Sequence, residues 1–247
     1  MENQTILMVE KLNLYDRTGR RLLRDVSLSL RPGETLGLVG ESGCGKTLTL
    51  KSLIGLLPEG LRETCAARVD NPDCAMIFQH PQSALDPLCP VFRQLTEVVA
   101  LRQGVRGREA RARAAALLER LSLPALAERD RLPGELSGGQ CQRAVIALAL
   151  ACEPRVLLAD EPTTALDVTV QRQTLALIRE LQRERGFAMI FVTHNLAVAA
   201  QVCERLAVMR AGRIVEEGPA ERILREPQTE YARMLVGSIL PVPERRA

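Results

Sequence analysis

Apolar and polar positions alternate in two runs across residues 5–30, separated by Asp16-Arg17-Thr18-Gly19-Arg20. Period-two alternation, clearest in Asp25-Val26-Ser27-Leu28-Ser29-Leu30, predicts strand, turn, strand. Arg31-Pro32-Gly33-Glu34 reads as a turn, and Thr35-Leu36-Gly37-Leu38-Val39 as a further strand. Past a glycine-rich loop, Leu48, Leu50, Leu53, Ile54 and Leu57 recur at helical spacing until Pro58 closes the run. Residues 62–73 read as turn-rich, Cys74 to Phe78 as a short strand, and the proline-interrupted 79–90 as a loop. A helical block runs from about Val91 to Cys152; its charged segment Arg106 to Arg120 is expected to be a solvated face. Val156 to Ala159 is a buried-type strand. A helix near Val168 to Arg185, a strand Ala188 to Val192 and a hairpin about Ala211-Gly212 follow, then short helices near 219–225 and 228–237. Strands separated by helices predict an α/β fold with a mostly parallel sheet covered on both faces.

Composition narrows the function classes. The 247 residues suit one large domain, 46% are hydrophobic, and the net charge is only +3. That balance, with no Trp and 2% aromatics, argues against nucleic acid as a partner. The N-terminus has no basic region followed by an apolar core, so no secretory signal is read there. The longest aliphatic stretch, Ala144 to Cys152, falls short of the roughly 20 residues that span a bilayer, so a soluble chain that docks on a membrane partner is expected. Seven cysteines form no C-x-x-C pair, which suits free thiols in a reducing compartment.

The chemistry concentrates in a few places. Gly40-Glu41-Ser42-Gly43-Cys44-Gly45-Lys46-Thr47 matches the phosphate-loop pattern G-x-x-x-x-G-K-[ST], between a strand and a helix as the pattern requires. Such a loop turns backbone N–H groups and a helix N-terminus towards a polyanion; Lys46 would meet the terminal phosphates and Thr47 would place a hydroxyl on Mg²⁺. Asp160 and Glu161 end a buried strand, where ligands of such sheets lie. One carboxylate there suits Mg²⁺, and the next suits polarising the water that attacks a γ-phosphate. Leu136-Ser137-Gly138-Gly139-Gln140 opens another helix, as an anion site or as a plain N-cap with Ser137 capping. Because one nucleotide needs only one such loop, the second suits a nucleotide held by another subunit. His194 follows the strand ending at Thr193; a lone histidine suits a structural role, and at a strand's carboxyl end it also suits hydrogen-bonding a γ-phosphate.

Together these pieces resemble the ATP-binding subunit of ABC transporters over nearly the whole chain. Gly40–Thr47 resembles Walker A, Gln79 the Q-loop glutamine, Leu136–Gln140 the LSGGQ signature and Val156–Glu161 Walker B with its catalytic glutamate. Ala165-Leu166-Asp167 is similar to the D-loop and His194 to the switch histidine. The resemblance implies a P-loop NTPase cassette with N-terminal antiparallel strands, a RecA-like core at about 1–80 and 153–247, and a helical subdomain at about 81–152. It implies ATP and Mg²⁺ as ligands, with Thr47, Gln79 and Asp160 on the metal and Glu161, His194 and Gln79 in catalysis. It further implies a head-to-tail pair of cassettes, each ATP lying between the Walker A loop of one and the signature loop Ser137–Gln140 of the other, with Asp167 of the D-loop also a nucleotide-binding residue. Tyr15 is the implied adenine-stacking aromatic. Gln79 links the site to a transmembrane permease subunit, whose coupling helix the helical block receives. The implied location is the cytoplasmic face of the inner membrane, peripheral, with a solute-binding protein as an indirect partner and a paralogous second ATPase subunit.

Finer resemblance lies with the nickel and peptide importer branch: Pro81-Gln82-Ser83-Ala84-Leu85-Asp86-Pro87-Leu88, the stretch Asp160 to Gln171, and the tail Glu226 to Leu235. The compact ending tilts the reading towards nickel or another chelated transition metal over short peptides. An exporter's ATPase subunit and a soluble non-transport ABC ATPase are the alternatives. Three positions depart from the common family pattern, namely Cys141 after the signature, Asn195 after His194 and Thr164 before Ala165. The span between the Walker A helix and Gln79 is also short, which predicts a trimmed antiparallel arm.

Overall fold

The computed structural model of the chain describes residues 5–70, 73–164 and 166–238. In chain order these form β1 (Leu7–Tyr15), β2 (Arg21–Leu30), β3 (Thr35–Val39), α1 (Lys46–Leu53), β4 (Arg62–Thr64), β5 (Ala67–Val69) and β6 (Cys74–Ile77). A 3-10 turn at Pro81–Ala84 leads to α2 (Val91–Gln103), α3 (Gly107–Arg120), α4 (Ala125–Glu128), a second 3-10 turn at Pro133–Glu135, and α5 (Gly138–Ala151). Then come β7 (Val156–Asp160), α6 (Val168–Arg185), β8 (Ala188–Thr193), α7 (Leu196–Val202), β9 (Arg205–Arg210), β10 (Arg213–Pro219), α8 (Ala220–Arg225) and α9 (Glu230–Gly237). The chain divides into two compact units: Met1–Asp70 with Ile190–Ala247, and Asn71–Met189.

In the first unit β1 pairs antiparallel with β2, from Leu7↔Leu30 to Tyr15↔Arg21. The turn between them is closed by Asp16, whose carboxylate accepts from the Thr18 and Arg20 backbone N–H groups at 2.8 and 3.0 Å. The Thr18 hydroxyl also donates to it, and these bonds hold the Asp16 carboxyl below its usual range. Alternate residues Leu7, Val9, Leu12 and Leu14 are buried, as the period-two pattern requires where a bulge shifts the register between Val9 and Leu12. The other sheet of this unit sets β3 parallel to β9, Leu36↔Arg205 through Val39↔Val208, with β10 folded back antiparallel on β9. All five residues of β3 are buried. Gly37 makes this possible, since a Cβ there would lie 2.5 Å from Leu206 Cδ2 and 2.9 Å from Cys203 Sγ.

Two expectations change in this unit. The helical periodicity after the glycine loop continues to Leu57, yet α1 ends at Leu53. Gly55 takes φ +68, and the Gly55 N–H reaches back to Ser52 O at 3.1 Å, so the chain turns off before the apolar spacing runs out. The segment read as turn-rich contains β4 and β5, both antiparallel to β1. Three-residue strands are too short to show a period; the partner strand defines them. An antiparallel arm is thus present, built from very short strands; residues 71–72 of that segment lie outside the described residues.

In the second unit β6 and β7 run parallel, Cys74↔Val156 to Ile77↔Ala159, and α2 to α5 fall between them in sequence. The α5 helix is mostly Ala, Leu, Ile and Val and buries Cys141, Val145, Ile146 and Leu150, so it serves as the internal helix of the block. The charged α3 shows the expected solvated face: Arg113 pairs with Glu109 one turn away, both about half exposed. Arg120 reaches further, donating to Glu180 and Glu184 of α6 at 2.9 and 3.1 Å.

Candidate nucleotide site

The glycine loop of the first unit is held from several sides. A Cβ on Gly40 would sit 2.2 Å from the Met209 carbonyl oxygen, so only glycine lets the loop leave β3 against β9. Gly45 precedes α1 at φ +113, and a Cβ there would lie 2.7 Å from Leu23 Cδ2. No side chain caps α1, which leaves its first N–H groups for a ligand. Cys44 O accepts from the Gly212 N–H at 2.9 Å, and the Glu41 N–H donates to the Tyr231 hydroxyl at 3.0 Å. Lys46 is 5% exposed, and its ammonium donates to the Gly40 and Glu41 carbonyls at 2.8 and 2.9 Å. The charge is therefore held inside the curl of the loop, while Glu41, Ser42 and Gly43 stay exposed and Thr47 is half-buried. Burial pushes the Cys44 thiol up, against the opposing charge of Lys46.

Two other candidates belong to this unit. Tyr15, half-buried at the end of β1, carries the Arg62 guanidinium 4.6 Å from its ring centroid. A base stacks there only on the other face or by displacing Arg62. His194 is exposed just past β8. Its neighbours hold the backbone: the Asn195 N–H donates to Thr193 Oγ1 at 3.0 Å, and Asn195 Oδ1 caps α7 by accepting from the Val198 N–H at 3.2 Å. Asn caps a helix as well as Asp does, which explains why the departure at position 195 leaves this corner intact.

The second unit holds the remaining candidates. Gln79 is exposed just past β6. Asp160 ends β7 and Glu161 follows it, 2% and 8% exposed. Glu161 has φ +48, a left-handed conformation that costs a non-glycine residue about 1–3 kcal/mol and occurs preferentially at functional sites. Its carboxylate lies 3.1 Å from the Thr164 hydroxyl, which is also 3.0 Å from the Glu161 carbonyl. The substitution at 164 thus keeps the hydroxyl that a serine would supply. Gln171 ties the same turn by donating to Thr163 Oγ1 at 2.8 Å. Asp167 caps α6, accepting from the Thr169 and Val170 N–H groups at 3.1 and 3.0 Å. Ala165 of the implied D-loop lies outside the described residues.

The signature loop is closed on itself. Ser137 Oγ accepts from the Gln140 N–H at 3.3 Å, and Gln140 Oε1 accepts from the Ser137 N–H at 3.0 Å. That reciprocal box caps α5. Arg143 braces it, donating to Gly139 O at 3.3 Å and to Leu121 O at 2.9 Å. Ser137 and Gly138 remain exposed.

Tyr231, Gly212, Thr164 and Arg143 were not singled out from sequence for any contact. Tyr231 and Thr164 lie in the quoted motifs and Gly212 in the expected hairpin turn, and none of these readings says what the residue touches. Taken one by one, the Thr47 hydroxyl, the Gln79 amide oxygen and the Asp160 carboxylate are hard-oxygen groups of the kind Mg²⁺ prefers. Among the described residues there is no group of three or more His, Cys, Asp or Glu side chains placed to hold a metal.

Residues 23–164 match the model of the ABC transporter family. A "Putative peptide import ATP-binding protein" of Brucella abortus (strain 2308) is 41% identical, over 97% of this chain and 79% of that protein. The "Glutathione import ATP-binding protein GsiA" of Escherichia coli (strain K12) is 40% identical, over 95% of this chain and 42% of that longer protein. Among solved structures, cbiO1 from Clostridium perfringens, part of the ABC transporter complex cbiONQ, superposes with a TM-score of 0.74 at 28% identity, covering 90% of this chain and 91% of that one. The ATP-binding cassette MJ0796, a dimer in a post-hydrolysis state bound to ADP and Pi, gives 0.75 at 28% identity, covering 87% and 98%. The chain belongs to the ABC transporter family and is one of its ATP-hydrolysing, α/β P-loop cassettes.

Proposed function

We propose that this cassette energises an importer whose cargo is a short peptide. The relatives' printed names support the peptide arm of the sequence reading over the nickel arm, at 40–41% identity across nearly the whole chain. Two observations, each within its own unit, carry the chemistry: the Lys46 ammonium buried inside a glycine loop, and the Glu161 carboxylate held beside the Thr164 hydroxyl at a buried strand end.

In this reading the loop Gly40–Thr47 and the N-terminus of α1 bind the phosphates of MgATP, with Lys46 compensating the terminal charge. Thr47, Asp160 and Gln79 would hold magnesium, which would neutralise charge on the phosphates. Glu161 takes the proton from the water that attacks the γ-phosphorus, and the Thr164 hydroxyl keeps that carboxylate in place. His194 hydrogen-bonds the γ-phosphate, and Tyr15 supports the adenine. Ser137–Gln140 and Asp167 act on the nucleotide of a partner cassette, a paralogue of this one. The division of labour between a RecA-like core and a helical subdomain at about 81–152 belongs to the same proposal.

The partner subunits are transmembrane permeases, served by a solute-binding protein, and the chain sits peripherally at the cytoplasmic face of the inner membrane. No helix among the described residues is long and apolar enough to cross a membrane. In the second unit an open groove of about 310 Å³, lined by Met76, Phe78, Ala84, Val98, Val145 and Leu148 among others, suits an amphipathic permease segment.

Glu161→Gln in the purified transporter complex is expected to bind MgATP within a few-fold of wild type and to lose about 10²-fold or more in turnover. Undiminished hydrolysis would remove Glu161 from its role. Cargo is tested by reconstituting the complex in vesicles: peptide-loaded binding protein should stimulate hydrolysis, and stimulation by a nickel chelate instead would reverse the choice.

A further inference from the structure

The helix at the end of the first unit is anchored to a point that bears on the phosphate loop. The Glu216 carboxylate on β10, 8% exposed, accepts from the Gln228 N–H at 3.0 Å, the Thr229 N–H at 2.9 Å and the Thr229 hydroxyl at 2.9 Å. Thr229 in turn caps α9, accepting from the Ala232 N–H at 3.2 Å. Arg233, one turn into the helix, donates back to the Pro227 and Gln228 carbonyls at 3.2 and 2.8 Å. The start of α9 is therefore tied at both its N–H and its C=O groups.

That anchoring places Tyr231, 4% exposed, with Arg210 of β9 4.8 Å from its ring centroid. Its hydroxyl accepts the Glu41 N–H at 3.0 Å. Glu41 is the second residue of the phosphate loop, and its carbonyl accepts both the Lys46 ammonium at 2.9 Å and the Cys44 N–H at 3.3 Å. Glu41 is thus gripped at its N–H by Tyr231 while its C=O grips Lys46. Burial holds the Tyr231 phenol above its usual range, so the hydroxyl stays neutral through ordinary working pH.

We infer that Tyr231 is a positioning residue for ATP: through the Glu41 peptide it sets the first corner of the phosphate loop and the carbonyl that aims the Lys46 ammonium at the terminal phosphates. The inference rests on the proposed phosphate-binding role of that loop. The Glu41 N–H, being given to the phenol, is not a phosphate ligand; its task is to fix the frame from which Lys46 reaches. A loop with a loosened corner must be ordered by the ligand itself, which lowers affinity without altering the group that attacks phosphorus.

The test uses the full-length chain, a fluorescent ATP analogue and Mg²⁺. Tyr231→Phe deletes only the hydroxyl and keeps the ring under Arg210. Affinity is expected to fall about three- to tenfold. In the assembled transporter KM for ATP should rise by a like factor while kcat stays within twofold. Hydrogen exchange at the Glu41 amide should quicken about tenfold or more, with the β3 amides and the melting temperature unchanged.

Unchanged affinity with a folded variant overturns the inference. So does a loss of affinity accompanied by general loosening of β3, which would mark Tyr231 as merely structural. If Tyr231→Phe does not fold, the wild-type chain still decides: a Glu41 amide that exchanges as fast as an exposed loop amide refutes the contact. Lys46→Ala in the same binding assay separates the two failures. If it binds normally, the phosphate-loop reading itself is wrong; if it fails while Tyr231→Phe binds normally, only the role of Tyr231 is lost.

Discussion

Two glycine-rich loops lead into helices in this chain, and they solve the problem of the helix N-terminus in opposite ways. The loop Gly40–Thr47 enters α1 without a side-chain cap, its glycines in conformations or contacts that a Cβ would forbid. The loop Ser137–Gln140 enters α5 through a complete capping box, with Ser137 in ordinary extended backbone. An uncapped helix start carries orphan N–H groups that something must satisfy, and a polyanion does so. A self-capped start has already satisfied two of them. The first loop is thus prepared for a ligand of its own, whereas the second offers an exposed but internally satisfied surface. An anion reaching the second loop competes with the Ser137–Gln140 bonds, which suits a contact made only when a partner brings the nucleotide.

The sharpest way to break the contrast is Gly40→Ala. With a Cβ 2.2 Å from the Met209 carbonyl, the loop must move, and nucleotide binding should fall by about 10²-fold or more, together with a loss of stability of about 2 kcal/mol or more. Titration with MgATP and a thermal melt measure both. A variant that binds normally would show that the close approach to β9 is dispensable.

Ser137→Ala removes the cap of α5 and is expected to lower stability by about 1 kcal/mol, seen as a shift of a few degrees in melting temperature. Binding of MgATP by the separate chain should be unaltered, while ATP-driven pairing of cassettes weakens. Loss of binding in the separate chain would end the contrast between a ligand loop and a partner loop.

The smallest effect is in pH dependence. Burial pushes the Glu216 carboxyl up, but the hydrogen bonds from Gln228 and Thr229 together outweigh it and hold the carboxyl below its ordinary 4.5. A depressed folded value means that the stabilisation is full above about pH 4.5 and is lost as pH falls through the folded value. Wild type should therefore lose more stability than Glu216→Gln on acidification below pH 4.5, and the two should run parallel between pH 5 and 7. Parallel curves throughout would show that Glu216 does not anchor α9.

Much of this was legible in the residues. Alternation in 5–30, the buried runs at 35–39 and 156–159, and the 168–185 helix depend on short-range periodicity, and the structure places strands and a helix there with little shift. The phosphate loop was legible for a different reason: its demands fall on the backbone, which only a few residue types meet. Where the reading ran over, at Leu57, an apolar spacing persisted beyond a glycine that turns the chain. Where it fell short, at β4 and β5, three residues give no period to detect.

The amino-acid sequence by itself determined the α/β class, the two helix-entering glycine loops and the family, because these follow from local periodicity and from residue types that special backbone conformations require. Only the tertiary structure decided that Tyr231 meets Glu41 across 190 positions of chain, that Arg62 covers Tyr15, and that Thr164 steadies Glu161 at a left-handed backbone. Contacts of that kind arise from how separate elements pack, and a side chain's type does not reveal which distant partner packing will bring to it.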